Sequence, residues 1–506
     1  MLVPKLFTTL KTYNKNLFYS DVTSGVIVGI VALPLAIAFG IASGVSPNNG
    51  LITAVIAGFI ISALGGSRVQ IGGPTGAFIV IVYGIIQKYG IDGLMIATIM
   101  AGIILVFMGF MRLGTLIKFI PLPIITGFTS GIALIIFTTQ INDLLGLKIV
   151  NLPSEFLSKI PVYINNITAF NTDTVIVSAI SLFTIIFLGR FMQKIPSTFI
   201  ALILGTVVVY VFGLEVDTIS TRFGQLTSSI PSVRMPEISF DIIYNLAGPA
   251  FTIAMLGAVE SLLSAVVADG MIGGKHRSNM ELIANGAANI VAPFFGGIPA
   301  TGAIARTVTN IRNGGKTPVA GITHSVVLLL ILLFFGQYAG MIPMCVLASI
   351  LMVVAYNMSE WREFKAQLKM PRSDVAVLVT TFLLTVIFDL TVAIEVGIVL
   401  SAMLFMRRMA AVTNVGVISR ELDDRVEPEE TGANSIQGKN IPKGVLIFEI
   451  DGPFFFGAAS KFKDAIRFVG KTTKVLILRL RKVPAIDSTG IRSEERRVGK
   501  ECRSRW

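Results

Sequence analysis

Long stretches of the chain contain no lysine, arginine or acidic residue, and their length constrains the fold more than any other feature. Examples are Val175–Leu188, Thr198–Phe212, Ile322–Phe335 and Val375–Phe388. A bilayer core needs about 20 apolar residues per helix, and fewer where a helix is broken or shielded by protein. About 14 such segments lie between Ser24 and Met409. Charged residues make up only 14% of the chain, which excludes an ordinary soluble enzyme. The sequence therefore predicts an all-α polytopic membrane protein.

The distribution of basic residues decides against a nucleic-acid partner, although the formal net charge is +12. With the N-terminus placed in the cytoplasm, the inner loops collect bases at Arg68, Arg112, Lys118, Arg190, Lys194, Lys275, Arg277, Arg312, Lys316, Arg362, Lys365, Lys369 and Arg372. The two longest outer loops, 143–173 and 215–241, carry several acids and few bases. This positive-inside pattern predicts a bilayer-embedded chain with both termini in the cytoplasm.

Changes in composition divide the chain into domains. We expect a cytoplasmic N-terminus at 1–23 and a transmembrane domain at 24–410, with repeats at about 24–213 and 244–410. The acidic stretch 411–442 is expected to be a linker. Residues 443–491 predict a small, incomplete α/β domain with strands at Val445–Ile450 and Val475–Leu480 and a helix at Phe455–Phe468.

The last residues, 492–506, lack apolar periodicity and contain six bases and three acids. This stretch resembles the translated sequence of a common sequencing-library adapter, so we interpret it as a non-native tail. A functional basic tail is the alternative. The two histidines and two cysteines lie on separate segments, so no metal site and no cofactor are predicted.

A short motif occurs twice and is the strongest functional signal. Residues 72–77 read Gly-Gly-Pro-Thr-Gly-Ala, and residues 297–303 read Gly-Ile-Pro-Ala-Thr-Gly-Ala. Each begins the third span of its half, and an odd number of spans per half gives the halves opposite orientations. The two helix starts then meet near the bilayer midplane. Free N–H groups at a helix start carry about half a positive charge, so the pair predicts an anion site. The alternative is that both motifs only kink helices for packing.

Three polar residues are candidates for the same site. Glu260 lies in the middle of a span, where a carboxylate is costly unless it faces a cavity or a partner, and Ser264 follows one helical turn later. We interpret Glu260 as a proton-binding carboxylate whose neutral form makes anion movement easier. A structural ion pair between Glu260 and Arg306 is the alternative. Arg306 itself either faces the anion or belongs to the cytoplasmic side of the core.

At these residues the sequence resembles the sulfate permease (SulP) family of anion transporters. The resemblance covers nearly the whole chain and is carried by Leu33–Phe39, Ala42–Val45, Gly73–Ala77, Gly127–Gly131, Met255–Leu263, Gly296–Pro299 and Asp389–Ala393. Gly452–Phe456 and Ile486–Gly490 are similar to the first half of a STAS domain.

The resemblance implies fourteen spans in a seven-plus-seven inverted repeat, with a core and a gate domain, an elevator-like motion and a homodimer in a bacterial-type inner membrane. The implied substrate is a small inorganic or carboxylate anion. The implied anion site consists of Thr75, Gly76, Ala77, Gly302, Ala303, Ile304, Ala305, Arg306 and Ser264, with Glu260 as the proton-coupling carboxylate.

Two positions bear on coupling. Sodium-coupled bicarbonate members of the family tend to have Asp and Thr where this chain has Glu260 and Ile304. An isoleucine offers no oxygen ligand to a hard cation, so the sequence favours proton coupling. The resemblance of these spans to proton-coupled bacterial members implies sulfate or a C4-dicarboxylate as substrate. Sodium-coupled bicarbonate transport is the alternative. A nucleobase–proton symporter and a non-transporting scaffold or sensor acting through the STAS segment are the other hypotheses.

Overall fold

The computed structural model describes residues 2–115, 121–149, 152–153, 156–191, 197–224, 232–236, 240–388, 390–412, 414–418, 442, 445–454 and 475–486. The chain forms two compact units, Met1–Ile398 and Val399–Trp506. The helices are, in chain order, α1 (Lys5–Thr9), α2 (Lys15–Ala42), α3 (Pro47–Leu64), α4 (Ile79–Phe110), α5 (Leu122–Thr139), α6 (Ile141–Leu145), α7 (Phe156–Asn166), α8 (Thr172–Phe191), α9 (Ser197–Phe212), α10 (Ile219–Phe223), α11 (Phe240–Ile272), α12 (Ser278–Val291), α13 (Ile304–Arg312), α14 (Pro318–Ala339), α15 (Met344–Met358), α16 (Trp361–Gln367), α17 (Arg372–Ile387) and α18 (Leu390–Val412).

The long apolar runs form helices. Within the described ranges, 8 helices are long and apolar enough to cross a membrane, and they include α2, α3, α4, α5, α8, α11, α14 and α15. The shorter helices α9, α12, α13 and α17 continue the series, and so does α18 with 23 residues. Gly90, with φ 71°, bends α4 into two segments, because only glycine adopts a left-handed conformation at little cost. The order of segments therefore matches the predicted polytopic fold.

The helix that contains the first predicted span begins before residue 24. α2 starts at Lys15, inside the stretch 1–23 that we assigned to the cytoplasmic N-terminus. The side chain of Asn14 accepts a hydrogen bond from Leu17 N at 2.9 Å and caps the helix. This cap explains why the helix begins at Lys15.

Several contacts between a helix of the first half and a helix of the second half have a counterpart, in which each helix is replaced by its equivalent from the other half. α3 packs against α14, and the equivalent helix of the second half, α12, packs against α4. Likewise α2 contacts α14, and the corresponding contact in the other half is that of α11 with α4. The contact of α5 with α17 corresponds in the same way to the contact of α15 with α8. Reciprocal contacts of this kind are expected for two repeats related by a pseudo-two-fold axis.

Each half contains a break after its second helix. In the first half the chain leaves α3, forms the short strand β1 (Gly72–Gly73) and then a 3₁₀ turn, Gly76–Phe78, that leads into α4. In the second half a 3₁₀ turn, Ala292–Phe295, follows α12 and leads through β2 (Thr301–Gly302) into α13. Both breaks fall at the repeated glycine- and proline-containing motif, as the sequence predicts.

The C-terminal unit contains a three-stranded sheet with the order β3–β4–β5, formed by Asn414–Ile418, Val445–Asp451 and Val475–Lys482. β4 and β5 lie where strands were predicted, and they pair in parallel. β3 corrects the expected linker 411–442, because its backbone pairs antiparallel with β4. The β-branched residues Val415, Val417 and Ile418 favour this strand. The helix predicted at Phe455–Phe468, the loop at Asp487 and the tail 492–506 lie outside the described residues.

Candidate functional site

The starts of the two broken helices are held together by a small antiparallel pairing of β1 and β2. Gly72 pairs with Gly302, and Gly73 pairs with Thr301. The glycines are required by close contacts. A Cβ atom at Gly302 would overlap the side-chain amide of Gln70, and one at Gly73 would overlap the guanidinium of Arg306. The repeated motif therefore brings two distant parts of the chain within backbone hydrogen-bonding distance.

Both helix starts lack a capping side chain. The 3₁₀ turn that leads into α4 has Thr75 at its N-cap, and α13 has Ala303, and neither side chain caps the helix. The N–H of Ala303 donates to Ile71 O at 2.8 Å, which fixes the direction of α13. The first N–H groups of a helix have no partner within it and attract negative charge. The arrangement suits a small anion.

Glu260 of α11 lies beside the first helix start. Its Oε2 accepts a hydrogen bond from Thr75 Oγ1 at 3.0 Å, across 185 residues of sequence. Both residues are partly exposed. A carboxylate that can gain or lose a proton is therefore placed at the edge of the candidate anion site.

Arg306 belongs to the other helix start and is 2% exposed. Its Nη2 donates to Pro74 O at 3.0 Å, and its Nη1, which has no hydrogen-bond partner, lies against Gly73. The salt bridges within the described part of the chain do not include one between Arg306 and Glu260, although the sequence left that ion pair open. Arg306 instead joins α13 to the segment that precedes α4 and keeps a positive charge behind both helix starts.

The remaining predicted site residues differ in their exposure to solvent. Ile304 is partly exposed and Ala305 is exposed, whereas Gly76, Ala77 and Ala303 are buried. Ser264, which is also predicted to line the site, lies one helical turn after Glu260 in α11. It is fully buried, and its hydroxyl donates to Thr307 Oγ1 at 3.2 Å. Ser264 therefore supports α13 from behind, because its side chain is engaged with the buried face of that helix.

Sequence reasoning missed a row of polar side chains on α12. Glu281, Asn285 and Asn289 are spaced by four residues and are all buried. Glu281 Oε2 accepts from the backbone N–H groups of Gly66 and Ser67 at 2.7 and 2.8 Å. Glu281 lies in the first turn of α12, and its side chain holds the chain that leaves α3. Recurrence of polar residues every four positions on one face of an otherwise apolar helix was the available signal.

The two asparagines of this row hold the segment that leads to α13. Asn285 Nδ2 donates to Gly257 O at 3.2 Å and Thr301 Oγ1 at 3.3 Å. Asn289 Nδ2 donates to Ala300 O and Asn289 Oδ1 accepts from Ala300 N, both at 2.8 Å. An irregular backbone at membrane depth is stable only when its polar groups are satisfied by protein. The α12 row supplies those hydrogen bonds.

Apolar side chains and a large cavity border the first helix start. Gly76 lies close to the side chains of Phe39, Ile136 and Met358. Ile136 also lines a cavity of about 910 Å³ beside the first segment of α4. The lining of this cavity includes Lys88, Lys159 and Arg222, and Arg222 Nη2 lies 2.9 Å from Oδ1 of Asp143, which also lines it. The two lysines leave the lining positively charged, and positive side chains in a wide cavity raise the local concentration of anions.

The fold and the paired helix starts define a class of protein, the polytopic membrane transporters with discontinuous helices at a repeat interface. A model of the sulfate permease family matches residues 18–381, and a STAS domain model matches residues 439–496. The chain belongs to the sulfate permease family. It is accordingly a multi-pass anion transporter rather than an enzyme.

Two curated relatives match nearly the whole chain. "Putative sulfate transporter YvdB" of Bacillus subtilis (strain 168) is 44% identical over 481 residues, which are 95% of this chain and 88% of that protein. "Bicarbonate transporter BicA" of Picosynechococcus sp. is 32% identical over 473 residues, which are 89% of this chain and 81% of that protein.

Solved structures share the fold. The transmembrane domain of a cyanobacterium bicarbonate transporter BicA superposes with a TM-score of 0.69 and 29% identity, covering 76% of this chain and 98% of that one. The structure of SLC26A9 superposes with a TM-score of 0.85 and 20% identity, covering 98% of this chain and 84% of that one. The second comparison supports the fold alone.

Proposed function

We propose that this protein is a proton-coupled symporter of a small anion, with sulfate as the favoured substrate and a C4-dicarboxylate as the second candidate. The observation that carries the proposal is the position of Glu260, bonded to Thr75 at the start of one uncapped helix, where β1 and β2 bring a second uncapped helix start alongside. The anion would be held by the free N–H groups of both helix starts, with Arg306 adding positive charge behind them.

The same geometry suggests how a proton and an anion could move together. An ionised Glu260 repels an incoming anion at short range, whereas a protonated one removes that repulsion and keeps a hydrogen bond with Thr75. Binding of the two ligands is then mutually favourable, which is the thermodynamic requirement for symport. We propose that the helices carrying the site move together against the rest of the bundle, as an elevator-type mechanism requires. We also propose a homodimer in a bacterial inner membrane with both termini in the cytoplasm.

Substrate identity rests on chemistry and on the relatives. Dipoles from two helix starts suit a compact anion with several acceptor oxygens, and the 44% identical relative is named as a sulfate transporter. Sodium-coupled bicarbonate transport is the alternative, favoured by the 32% identity to BicA. Against it, Ile304 occupies the first turn of α13, and its side chain offers no oxygen to a sodium ion.

The test is uptake of labelled sulfate, succinate and bicarbonate into proteoliposomes, with and without an inward proton gradient, and separately with a sodium gradient. We expect one anion to accumulate when protons are supplied. Glu260→Gln should lose the acceleration by protons yet keep exchange of labelled for unlabelled anion. Glu215→Gln, which changes an exposed carboxylate in the loop after α9, is the matched control and should behave as wild type.

Three outcomes would contradict the proposal. Acceleration by sodium instead of protons would replace it with the bicarbonate alternative. A proton response that survives in Glu260→Gln would remove Glu260 from coupling. Competition by uracil against anion uptake would revive the nucleobase hypothesis.

A further inference from the structure

A recess on the first unit collects basic side chains away from the proposed anion site. Its volume is about 320 Å³, and it is lined by Lys5, Lys275, His276, Arg277, Ser278 and Asn279. It lies where the N-terminal segment meets the loop between α11 and α12. The proposed transport mechanism uses none of these residues.

Backbone hydrogen bonds fix the recess in place. Lys5 N donates to Gly65 O at 2.9 Å, and Arg277 N donates to Gly66 O at 3.0 Å. The Arg277 side chain also reaches the N-terminal segment, with Nη1 donating to Val3 O at 2.6 Å. Lys5 and Arg277 are therefore attached at adjacent residues of one loop, so their positive charges stay close together.

The charges in this recess are not balanced by neighbouring acids. Burial, followed by repulsion from Arg277 and Arg68, lowers the pKa of Lys5, and attraction to Asp269 opposes this only in part. Asp269 is already engaged, because its Oδ2 lies 2.6 Å from His276 Nδ1 and accepts from His276 N at 2.8 Å. The local field therefore favours an added negative charge.

The recess also contains the start of α12, a helix of 14 residues. Arg277 is its N-cap residue and provides no side-chain cap. Glu281, the acid in the first turn, is directed to Gly66 and Ser67 instead. A helix start among cations is a suitable environment for the oxygens of a phosphate group.

We propose that this recess binds a phosphate-bearing anion, held by Lys5, Lys275 and Arg277 at the start of α12. The group can come from the headgroup of an anionic phospholipid or from free phosphate in solution. Because the recess joins the N-terminal segment to the loops after α3 and α11, a bound phosphate would strengthen that junction.

The test measures acylation of lysine amines by mass spectrometry on the full chain in detergent micelles. Three conditions are compared at equal ionic strength: chloride alone, chloride with inorganic phosphate, and chloride with a short-chain phosphatidylglycerol. We expect acylation of Lys5 and Lys275 to slow roughly tenfold at about ten times Kd, because mass action then leaves about a tenth of the sites empty. Lys365, on α16, is the internal control and should not change.

The three conditions separate the sources of phosphate, and two variants test the site. Protection by phosphatidylglycerol alone identifies a lipid headgroup, and protection by inorganic phosphate identifies a soluble ligand. Lys275→Gln should weaken the protection of Lys5, whereas Lys365→Gln should leave it intact. Equal labelling in all conditions, or equal protection of Lys365, would overturn the proposal. The readout does not depend on transport, so its failure is distinct from failure of the proposed function.

Discussion

At the scale of single residues, close contacts around β2 determine which side chains the site tolerates. The backbone at Gly302 lies against Gln70, whose Nε2 donates to the carbonyl and hydroxyl oxygens of Ser261 at 3.2 and 2.9 Å. Ser261 is the immediate neighbour of Glu260 in α11. The same contact therefore fixes the position of β2 and supports the helix that carries the candidate proton site.

Gly302→Ala should damage the protein although it adds only one methyl group. The new Cβ would overlap Gln70, so either Gln70 leaves Ser261 or β2 moves, at a cost of about 1–3 kcal/mol. We expect a lower melting temperature in detergent and reduced anion uptake. Gly84→Ala is the control, because apart from the neighbouring backbone of its own helix no atom lies within 4 Å of the added Cβ. Alanine is favoured over glycine inside a helix by about 0.5–1 kcal/mol, so a melting temperature equally lowered in both variants would contradict this account.

Arg306→Gln should weaken anion binding more than it weakens the fold. Glutamine keeps a polar side chain at this position but removes the buried positive charge. We expect KM for anion uptake to rise about tenfold or more, equivalent to a loss of about 1.4 kcal/mol of binding. Arg312→Gln removes an exposed charge at the end of the same helix and should leave KM unchanged. Equal KM values for wild type and Arg306→Gln would exclude Arg306 from the anion site.

At the scale of elements, α12 acts as a support for both irregular segments. Asn289 of this helix makes two hydrogen bonds to the backbone of Ala300. Asn289→Ala leaves a buried N–H and a buried C=O without a partner, at a cost of about 1–3 kcal/mol each. The melting temperature should fall clearly. Asn166→Ala removes only a bond to Val162 within the same turn, and a comparable fall there would contradict the specific role of Asn289.

A buried carboxylate joins α2 to the start of α14. Asp21 of α2 is fully buried and accepts hydrogen bonds from Lys316 N at 2.8 Å, Thr317 N at 3.1 Å and Tyr13 Oη at 3.2 Å. These bonds fix the start of α14. Asp21→Asn should lower the free energy of unfolding by about 2–4 kcal/mol, because bonds to a charged acceptor contribute more than neutral ones.

The control for Asp21 is Asp173→Asn. Asp173 accepts one bond at 3.2 Å, from Glu215 N at an exposed position, so the change in stability should be small. Thermal unfolding in detergent provides both values. If the two variants unfolded at the same temperature, the carboxylate of Asp21 would not be what joins α2 to α14.

The sequence predicts those elements whose formation depends on residues close together in the chain. Apolar length predicts the helices, and glycine with proline predicts the two breaks, because these effects depend on neighbouring residues. The hydrogen bonds that hold the breaks could not be predicted in this way. Glu281 contacts Gly66 across 215 residues, and Asn310 Nδ2 contacts Val69 O across 241 residues. Such partners depend on how the two halves pack against each other, which local sequence patterns do not indicate. The same dependence explains why the sequence did not predict the hydrogen bond between Ser264 and Thr307.

At the scale of the whole molecule, the two compact units separate the proposed transport function from the C-terminal sheet. All residues of the candidate site lie in Met1–Ile398, and the sheet lies in Val399–Trp506. A chain truncated after Val412 should therefore retain anion uptake in proteoliposomes and a melting temperature near that of the full chain. Loss of uptake with an unchanged melting temperature would contradict this prediction and would mean that the C-terminal unit is required for transport without being required for folding.

The pairing of β1 with β2 has a consequence for how this chain can change in length. Because Gly72 is opposite Gly302 and Gly73 is opposite Thr301, one inserted residue in either segment would displace every later residue relative to its partner. Loops elsewhere tolerate insertions, since they run over the surface. The segments 66–79 and 296–304 should instead be recovered without length changes from a library of random insertions, and a second, compensating length change in the same or the partner segment could restore the pairing.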